Sequence, residues 1–323
     1  MKNITQHIKL MGIIWLIMAF IIPAAISFSA EVIFEAEIPT PSEGLYIYKM
    51  KIPNINLRKA VKKLGRVIPE VSKIEDFDEE DFSKTKDRYV FNRGPIHISS
   101  DSHGTEIYYS NFDGLKLTEH VEQLPKEEEA AEIAQRYLLG TGLLRKLKRR
   151  ELQIDHIGGI NQAQADIKGN VTEEKKAVVV YYYRQLNKLR VMNAGSSISV
   201  TIGDLSKPVG LQFHWRDIDE AQLVPNTEYI TDPAKIKEYI VADINNIFSD
   251  EAKIVITSVE IGYYENNSNF IQPAYCYNGE VVEAGGDIQP MPVKGFVQAL
   301  NQPPEPVHHP AYIPDVPQPK EVK

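Results

Sequence analysis

The chain has 323 residues, of which 43% are hydrophobic and 25% are charged, so it can bury one large core or several smaller ones. Acidic residues outnumber basic residues by 44 to 36, which gives a formal net charge of -8. This balance argues against nucleic acid as the main partner, because phosphate binding needs a basic surface. The single cysteine, Cys276, excludes a disulfide framework within the chain and a cysteine-rich zinc site.

Residues 1–29 differ in composition from the rest of the chain. Two lysines precede an uncharged apolar run, Leu10–Ile26, and small residues follow it. These are the three parts of a secretory signal peptide, and we expect cleavage near Ser27 or Ser29. The alternative is an uncleaved membrane anchor, since the apolar run is at the short end of what spans a bilayer. Either way we predict an exported protein, which is secreted, periplasmic or associated with the cell envelope.

Three segments carry apolar residues at the i, i+3, i+4 and i+7 spacing that is typical of an amphipathic helix. The first precedes Gly65, which would end it, and the second follows Pro125 and three glutamates, which suit a helix N-terminus. The third follows Thr231, Asp232 and Pro233, a cap followed by proline at the first helical position. The apolar positions of the three helices are Leu57, Ala60, Val61 and Leu64, then Ala130, Ile133, Ala134, Tyr137 and Leu138, then Ile236, Tyr239, Ile240, Ile244 and Ile247.

Runs rich in β-branched and aromatic residues fill the gaps between the helices and predict strands. Ile198, Val200 and Ile202 alternate with polar residues, which is typical of a strand with one face in water. Gly203-Asp204 then turns the chain, so residues 197–215 are predicted to form a β-hairpin. The predicted strands are Leu45–Lys51, Arg88–Ile98, Thr105–Tyr109, Leu152–Ile157, Ala177–Gln185, Ser197–Ile202, Val209–Trp215, Lys253–Tyr264 and Gln272–Tyr277.

A helix followed by several antiparallel strands occurs at least twice, which indicates helices packed on one face of antiparallel sheets. We therefore predict an α+β fold of repeated units, each with one helix packed on a short antiparallel sheet. The predicted organisation is a signal peptide at 1–29, an N-terminal α+β unit at 30–122, a central unit at 123–220, a C-terminal unit at 221–300 and a proline-rich tail at 301–323. Seven prolines fall in the last 21 residues, so we expect an extended tail whose deletion hardly changes the melting temperature.

The segment Val180–Trp215 carries a recognisable pattern. A strand ending in Tyr183-Arg184-Gln185 is followed by a short turn at Lys188–Val191, by Gly195 and by the alternating strand. This pattern resembles the hairpin core of the PepSY-like families, which include the propeptide domains of secreted thermolysin- and fungalysin-type metallopeptidases and the YycH/YycI-type extracytoplasmic regulators. The resemblance covers residues 125–280 and implies that the central and C-terminal units are PepSY-like. It also implies a non-catalytic role as an intramolecular chaperone, a protease inhibitor or a regulator of a sensor kinase.

Candidate binding residues come from an aromatic cluster and from a basic run. Tyr181 and Tyr183 share one face of a strand while Tyr182 points to the other, so one face is expected in the core. The other face, joined by Trp215, is a candidate aromatic contact surface. The run Arg145–Arg150 could contact an anionic envelope surface, the alternative being the cationic end of a helix. The candidate residues of this run are Arg145, Lys146, Arg149 and Arg150.

Other groups that could carry chemistry are interpreted as ordinary structure. The acidic run Glu75–Asp81 lacks the EF-hand register, so a solvated loop is favoured over a Ca²⁺ site. Asp101-Ser102-His103 is interpreted as a turn, because sequence neighbours cannot assemble a catalytic triad. His308-His309 lie in the proline-rich tail, and Cys276 is expected to be a buried thiol. We predict no metal site and no cofactor.

These features predict an exported, non-enzymatic binding or regulatory protein, an inhibitor or regulator of a secreted or membrane partner. It would contact a protein partner in the cell envelope or outside the cell through exposed sheet edges and strand faces. The alternative is a secreted hydrolase with a carboxylate-based site near Trp215, in which Asp217, Asp219 and Glu220 would supply acid–base catalysis.

Overall fold

The computed structural model describes the chain between Ala30 and Val307, with internal gaps. The described ranges are 30–41, 44–51, 57–68, 71, 82–85, 88–101, 105–144, 150–165, 169–193, 195–248, 252–266, 269–284 and 290–307. The predicted signal peptide, the acidic run Glu75–Asp81 and His308-His309 lie outside these residues, as do residues 145–149 of the basic run.

Strands dominate the described residues, and they belong to one 15-stranded sheet. In chain order the strands are β1 (Glu31–Phe34), β2 (Tyr46–Met50), β3 (Phe82–Lys84), β4 (Arg88–Arg93), β5 (Ile96–Asp101), β6 (Glu106–Asn111), β7 (Leu152–Ala165), β8 (Val171–Leu186), β9 (Leu189–Met192), β10 (Ser197–Ile202), β11 (Pro208–His214), β12 (Ile218–Leu223), β13 (Ala252–Tyr264), β14 (Phe270–Ala284) and β15 (Met291–Gln298). The α-helices of the described residues are α1 (Leu57–Leu64), α2 (Glu127–Thr141) and α3 (Pro233–Asn245).

The positions of the three predicted helices are confirmed, and each helix buries residues of its predicted apolar stripe. α2 starts with three glutamates, which favour the positive end of a helix dipole, and Gly142 then follows it at a φ of 63°. α3 starts at Pro233, as predicted, and the Asp232 carboxylate accepts a hydrogen bond from the Ala234 amide at 2.9 Å.

The predicted hairpin is also confirmed, because β10 pairs antiparallel with β11 and places Ile198 opposite Phe213. The predicted strand Arg88–Ile98 is instead two strands, β4 and β5, which pair with each other across a turn at Gly94-Pro95. β7, β8 and β14 are longer than predicted. The sequence pattern does not predict β1, β3, β9, β12 and β15.

Eight strands form an antiparallel half of the sheet, in the order β7-β8-β10-β11-β6-β5-β4-β3. α1 and α2 cover one side of this half, which we call the inner face. Because side chains alternate along a strand, every second residue of β8, β10 and β11 points to the inner face. These residues are apolar and pack in one core with both helices; among them are Val180, Ile198, Val200, Leu211 and Phe213.

Four strands form the second half, in the order β1-β13-β14-β15, and α3 packs against it. Ile236, Ile240 and Ile244 of α3 share a core with apolar residues of β13, β14 and β15. The Tyr277 hydroxyl of β14 donates a hydrogen bond to Asp243 of α3 at 2.6 Å. This half therefore has its own core and its own covering helix.

β9 joins the two halves. It follows β8 in a tight hairpin, in which Asn187 and Lys188 both adopt the positive φ that a two-residue turn of this type requires. β9 then pairs in parallel with the end of β13, where Val191 lies opposite Tyr263. Beyond β14 the sheet continues through β2, which pairs with β14 on one side and with β12 on the other.

The predicted α+β fold of repeated helix-on-sheet units is wrong. The described chain is mainly β, with one large mixed sheet of 15 strands and three helices. Local periodicity identifies many of the strands, but it does not reveal which strands pair. The sheet is continuous because the four-residue strand β9 pairs with both β8 and β13. Other pairs join strands that are far apart in sequence, such as β1 and β13.

The resemblance to the PepSY-like families is contradicted by the same continuous sheet. That resemblance interprets Lys188–Val191 as a short turn, whereas residues 189–192 form β9 and extend the sheet. The turn itself is confined to Asn187 and Lys188. A 15-stranded sheet with three helices does not consist of the repeated one-helix units that the resemblance implies.

Candidate binding site

We call the side of the antiparallel half opposite α1 and α2 the outer face, and it carries many polar side chains beside a small apolar cluster. Pairing between β8, β10, β11 and β6 places Tyr181, Ser199, Gln212 and Tyr108 in one row across it. The alternation predicted for β10 thus has a clear outcome, since its isoleucines and valine pack in the inner core and its serines and threonine are half-buried on the outer face. The outer face offers hydroxyls, amides and aromatic rings.

A cleft of about 280 Å³ opens on the outer face between β7, β8, β9 and β10. Tyr181 and Tyr183 of β8 line it together with Ser197 and Ser199 of β10 and Gln212 of β11. Charged and amide side chains from other strands and from the loop after β9 complete the lining, namely Asp155, Arg190, Asn193 and Lys294. We call this site the tyrosine cleft.

Neighbouring side chains hold both tyrosine rings in place. His156 of β7 stacks on Tyr181 with ring centroids 4.3 Å apart, and the Arg190 guanidinium lies 4.5 Å from the centroid of the Tyr183 ring. Asp155 ties these two partners together, because it forms an ion pair with Arg190 at 2.6 Å and contacts the His156 ring nitrogen at 3.1 Å. Burial acts to raise the pKa of Asp155, but hydrogen bonds from Arg190 and His156 bring it below its ordinary value.

Trp215 does not join the two tyrosines. It is 6% exposed and packs in the core of the inner face, where the Arg184 guanidinium lies 4.6 Å from the centroid of its ring. Tyr182 lies in the same core, and burial raises the pKa of its hydroxyl to about 12. The structure thus brings Tyr181 and Tyr183 together in one cleft and places Trp215 on the opposite side of the sheet.

A buried ion-pair network lies where the two halves of the sheet meet. Glu265, which directly follows β13, is fully buried and accepts hydrogen bonds from Arg216 at 2.7 Å and from the Ser196 hydroxyl at 2.5 Å. Arg184 at the end of β8 forms an ion pair with Glu151 at 2.7 Å and donates to the backbone carbonyl of Arg216 at 2.9 Å. Each charged side chain of the network has an opposite charge within hydrogen-bonding distance. The network therefore joins the two halves of the sheet.

Gly195 is the sequence signal of this network. A Cβ atom at position 195 would collide with the Glu265 side chain, so no larger residue fits without displacing the buried carboxylate. The glycine that the sequence pattern places near a turn is therefore required for a close approach between the two halves.

A second cleft, of about 520 Å³, opens beside the turn between β10 and β11. One of its charged pairs is Lys116 and Asp204, whose side-chain atoms lie 2.6 Å apart. Asp204 is 5% exposed, and its carboxylate also accepts a hydrogen bond from the backbone N–H of Gln123 at 2.8 Å. Hydrogen bonds from Lys116 and then from Gln123 lower the pKa of Asp204 to about 2. The predicted turn at Gly203-Asp204 is thus anchored by an ion pair whose carboxylate is buried.

The basic run is described at one of its candidate residues. Arg150 is exposed at the start of the segment that leads into β7, and Arg145, Lys146 and Arg149 lie outside the described residues. A contact between this run and an anionic envelope surface stays a prediction.

Cys276 is a buried thiol, as predicted, and burial raises its pKa to about 11. Within the described ranges, no group of three or more His, Cys, Asp or Glu side chains is placed to hold a metal ion. In the same ranges, no helix combines the length and the apolar character needed to cross a membrane.

The carboxylates of the hydrolase alternative lie on the segment that contains β12. Asp219 and Glu220 are exposed and Asp217 is half-buried, whereas Trp215 is buried on the inner face. None of the three acids lines the tyrosine cleft or the second cleft. The hydrolase alternative stays a prediction.

Sequence reasoning identifies the tyrosines of the cleft but misses the charged residues around them. Arg190 and Lys294 lie on β9 and β15, two strands that the pattern does not predict, so nothing in the sequence places them near Tyr183. The alternation in β10 is the signal that points to the outer face, and it marks Ser197 and Ser199 correctly.

Comparison with known proteins assigns this chain neither a family nor a function. No family model matches the chain, and no curated protein matches it. A solved structure of an uncharacterized protein from Eubacterium rectale matches with a TM-score of 0.45 and 10% sequence identity, over 84% of this chain and 89% of that one. At this TM-score the likeness carries no argument about fold or function.

Proposed function

We propose that this chain is a non-enzymatic binding protein that contacts a protein partner through the tyrosine cleft. The observation that carries the proposal is the cleft itself, an opening of about 280 Å³ that Tyr181 and Tyr183 line together with polar side chains. Tyrosine and arginine are enriched among the residues that dominate binding energy at protein interfaces. The cleft combines both, since Arg190 lies over the Tyr183 ring.

The surrounding side chains suit a protein partner. Ser197, Ser199, Asn193 and Gln212 offer hydroxyl and amide groups, which adapt their hydrogen bonds to peptide backbone and side chains. The aromatic rings lose little freedom when they bind, because His156 and Arg190 already hold them. The tyrosine cleft therefore presents rigid aromatic anchors surrounded by adaptable polar groups.

The N-terminal segment bears on where the partner is met. We assign the partner to the cell envelope or the outside of the cell, on the composition of residues 1–29. The chain would act there as an inhibitor or regulator of a secreted or membrane protein. Its negative charge supports a partner other than nucleic acid.

Peptide selection tests this proposal directly. The full chain is immobilised and used to enrich binders from a random peptide library displayed on phage, and the dissociation constants of synthetic copies are measured by calorimetry. Binding is then compared between the natural chain, Tyr183→Ala in the cleft and Tyr239→Ala as a matched control on α3. We expect Tyr183→Ala to weaken binding by about tenfold or more, as loss of a central interface tyrosine does, and Tyr239→Ala to leave it unchanged.

Two results would overturn the proposal. One is a selection that enriches no peptide over background. The other is a set of peptides that bind the natural chain and both variants with equal affinity, because their site would then lie away from the tyrosine cleft.

A further inference from the structure

Lys294 is a positively charged residue of the tyrosine cleft that has no acid beside it. It is exposed on β15, so it brings the second half of the sheet into the lining of the cleft. Its ammonium nitrogen lies 5.7 Å from the centroid of the Phe296 ring on the same strand. Within the described part of the chain, no carboxylate lies within 4 Å of that nitrogen, so no ion pair balances its charge.

The acid that lines the tyrosine cleft is already engaged. Asp155 is the one acidic residue among the described residues of the lining. Its Oδ1 atom pairs with Arg190 at 2.6 Å, and its Oδ2 atom contacts the His156 ring nitrogen at 3.1 Å. Of the two cations in the lining, Arg190 therefore has an anionic partner and Lys294 has none. The cleft carries an excess of positive charge in a chain whose net charge is -8.

The uncharged groups of the lining do not oppose an anion. Tyr181, Ser199 and Gln212 lie in one row across β8, β10 and β11, and all three line the cleft. Hydroxyl and side-chain amide groups can each donate a hydrogen bond to a carboxylate oxygen, and a lysine ammonium can only donate. Hydrogen bonds in which donor and acceptor are both charged are the strongest of these.

We propose that the partner segment bound in the tyrosine cleft carries an aspartate or glutamate side chain that pairs with Lys294. This inference rests on the proposed function and names the chemistry of its partner. A segment that covers the cleft removes water from the Lys294 ammonium, and a charge that loses its water without gaining a partner costs free energy. A carboxylate offsets that cost, whereas a neutral or basic segment does not, so Lys294 selects against neutral and basic partners.

Charge reversal at position 294 tests this assignment. The random peptide library is selected in parallel on the natural chain, on Lys294→Glu and on Lys207→Glu. Lys207 is the matched control, because it is an exposed lysine that lines the second cleft and its replacement changes the net charge equally. We expect the natural chain and Lys207→Glu to enrich peptides that share an acid at one aligned position. Peptides selected on Lys294→Glu should carry lysine or arginine there instead.

A double-mutant cycle then measures the pairing. A synthetic peptide with the selected acid, and a copy with the corresponding amide in its place, are titrated by calorimetry into the natural chain and into Lys294→Met. The methionine keeps an apolar stem but removes the ammonium group. In the natural chain the amide copy should bind about tenfold more weakly, as loss of a hydrogen bond between charged groups does. In Lys294→Met the two peptides should bind equally.

The outcomes separate this inference from the proposed function. Peptides that need Tyr183 but share no acid, or that are the same for Lys294→Glu and the natural chain, would overturn the inference and leave the proposed function standing. An affinity that falls when the peptide C-terminus is amidated, and not when the acid is replaced, would assign Lys294 to a chain terminus and would also overturn it. A selection that enriches no peptide overturns the proposed function, and this inference falls with it.

Discussion

Glu265 is the residue on which the junction between the two halves of the sheet depends. It is fully buried, and its partner Arg216 is nearly so. Glu265→Gln keeps the shape of the side chain but leaves the Arg216 guanidinium buried without an opposite charge. Loss of one member of a buried pair costs about 3–5 kcal/mol of folding free energy. We expect a loss of that size in urea denaturation followed by circular dichroism.

Glu260→Gln is the matched control for this prediction. Glu260 lies on the same strand as the residues that lead to Glu265, but it is exposed. Its replacement should change the unfolding free energy by no more than about 0.5 kcal/mol. Equal unfolding free energies for the two variants would show that the buried network does not contribute to stability.

Asp204 is expected to make the folded chain less stable as the pH falls into the acid range. Its pKa is about 2 in the folded chain, whereas an unfolded aspartate has a pKa of about 3.9, so the unfolded state binds the proton more readily. The stabilisation from Asp204 is therefore fully present above about pH 5 and is lost as the pH falls from about 4 to about 2. We expect Asp204→Asn to be less stable than the natural chain at pH 6, and the difference to shrink across this window.

The measurement for Asp204 is urea denaturation of both chains at several pH values between 2 and 6. Asp113→Asn is a suitable control, because Asp113 is an exposed acid that lines the same cleft. A difference between natural chain and Asp204→Asn that stays constant over the whole pH range would contradict the role assigned to the Lys116–Asp204 pair.

At the scale of elements, the start of the proline-rich tail packs onto the sheet instead of leaving it. The Gln272 side chain, buried on β14, donates a hydrogen bond to the Glu305 carbonyl at 2.7 Å. Val307 packs against the small cluster that contains Tyr264, Cys276 and Phe296. These contacts argue that residues 303–307 stabilise the fold, unlike the tail expected from the sequence, and residues 308–323 lie outside the described part.

Two truncations separate these parts of the tail. A chain that ends at Val307 should keep the melting temperature of the full chain. A chain that ends at Gln302 leaves the buried Gln272 amide without its acceptor, which costs about 1–3 kcal/mol, and its melting temperature should fall by several degrees. Scanning calorimetry gives the melting temperatures of the full chain and of the two truncated chains. Identical melting temperatures would show that residues 303–307 do not stabilise the fold.

Elements with a strong repeating pattern could be predicted from the sequence, and elements with a weak pattern could not. α3 could be predicted from Asp232, Pro233 and its isoleucines, because capping and burial act within a few turns of chain. β9 could not, since its four residues show no alternation and its strand character comes from pairing with β8 and β13. The tyrosine cleft was half predictable for the same reason, because Arg190 reaches Tyr183 through β9.

At the scale of the whole molecule, long-range pairing decides the architecture. β2 is flanked by β12 and β14, which follow it much later in the chain, and β12 and β2 form one end of the strand order. Nothing near Tyr46–Met50 in sequence specifies those neighbours. A mainly β fold with one continuous sheet therefore had to be read from the structure, whereas the helix positions and the β10–β11 hairpin followed from local patterns.

The placement of β1 has a consequence for how the chain is made. Ala30, just before β1, donates its amide hydrogen bond to Asn245, 215 residues further along, and β1 then pairs with β13. At roughly 5–20 residues per second, a ribosome needs about 10–40 s to supply these partners after Ala30 has been synthesised. β1 and β2 are synthesised early but are among the last strands to acquire their neighbours. Throughout that interval they have no strand to pair with. A holding factor that masks nascent apolar segments would be engaged with this end of the polypeptide for most of its synthesis.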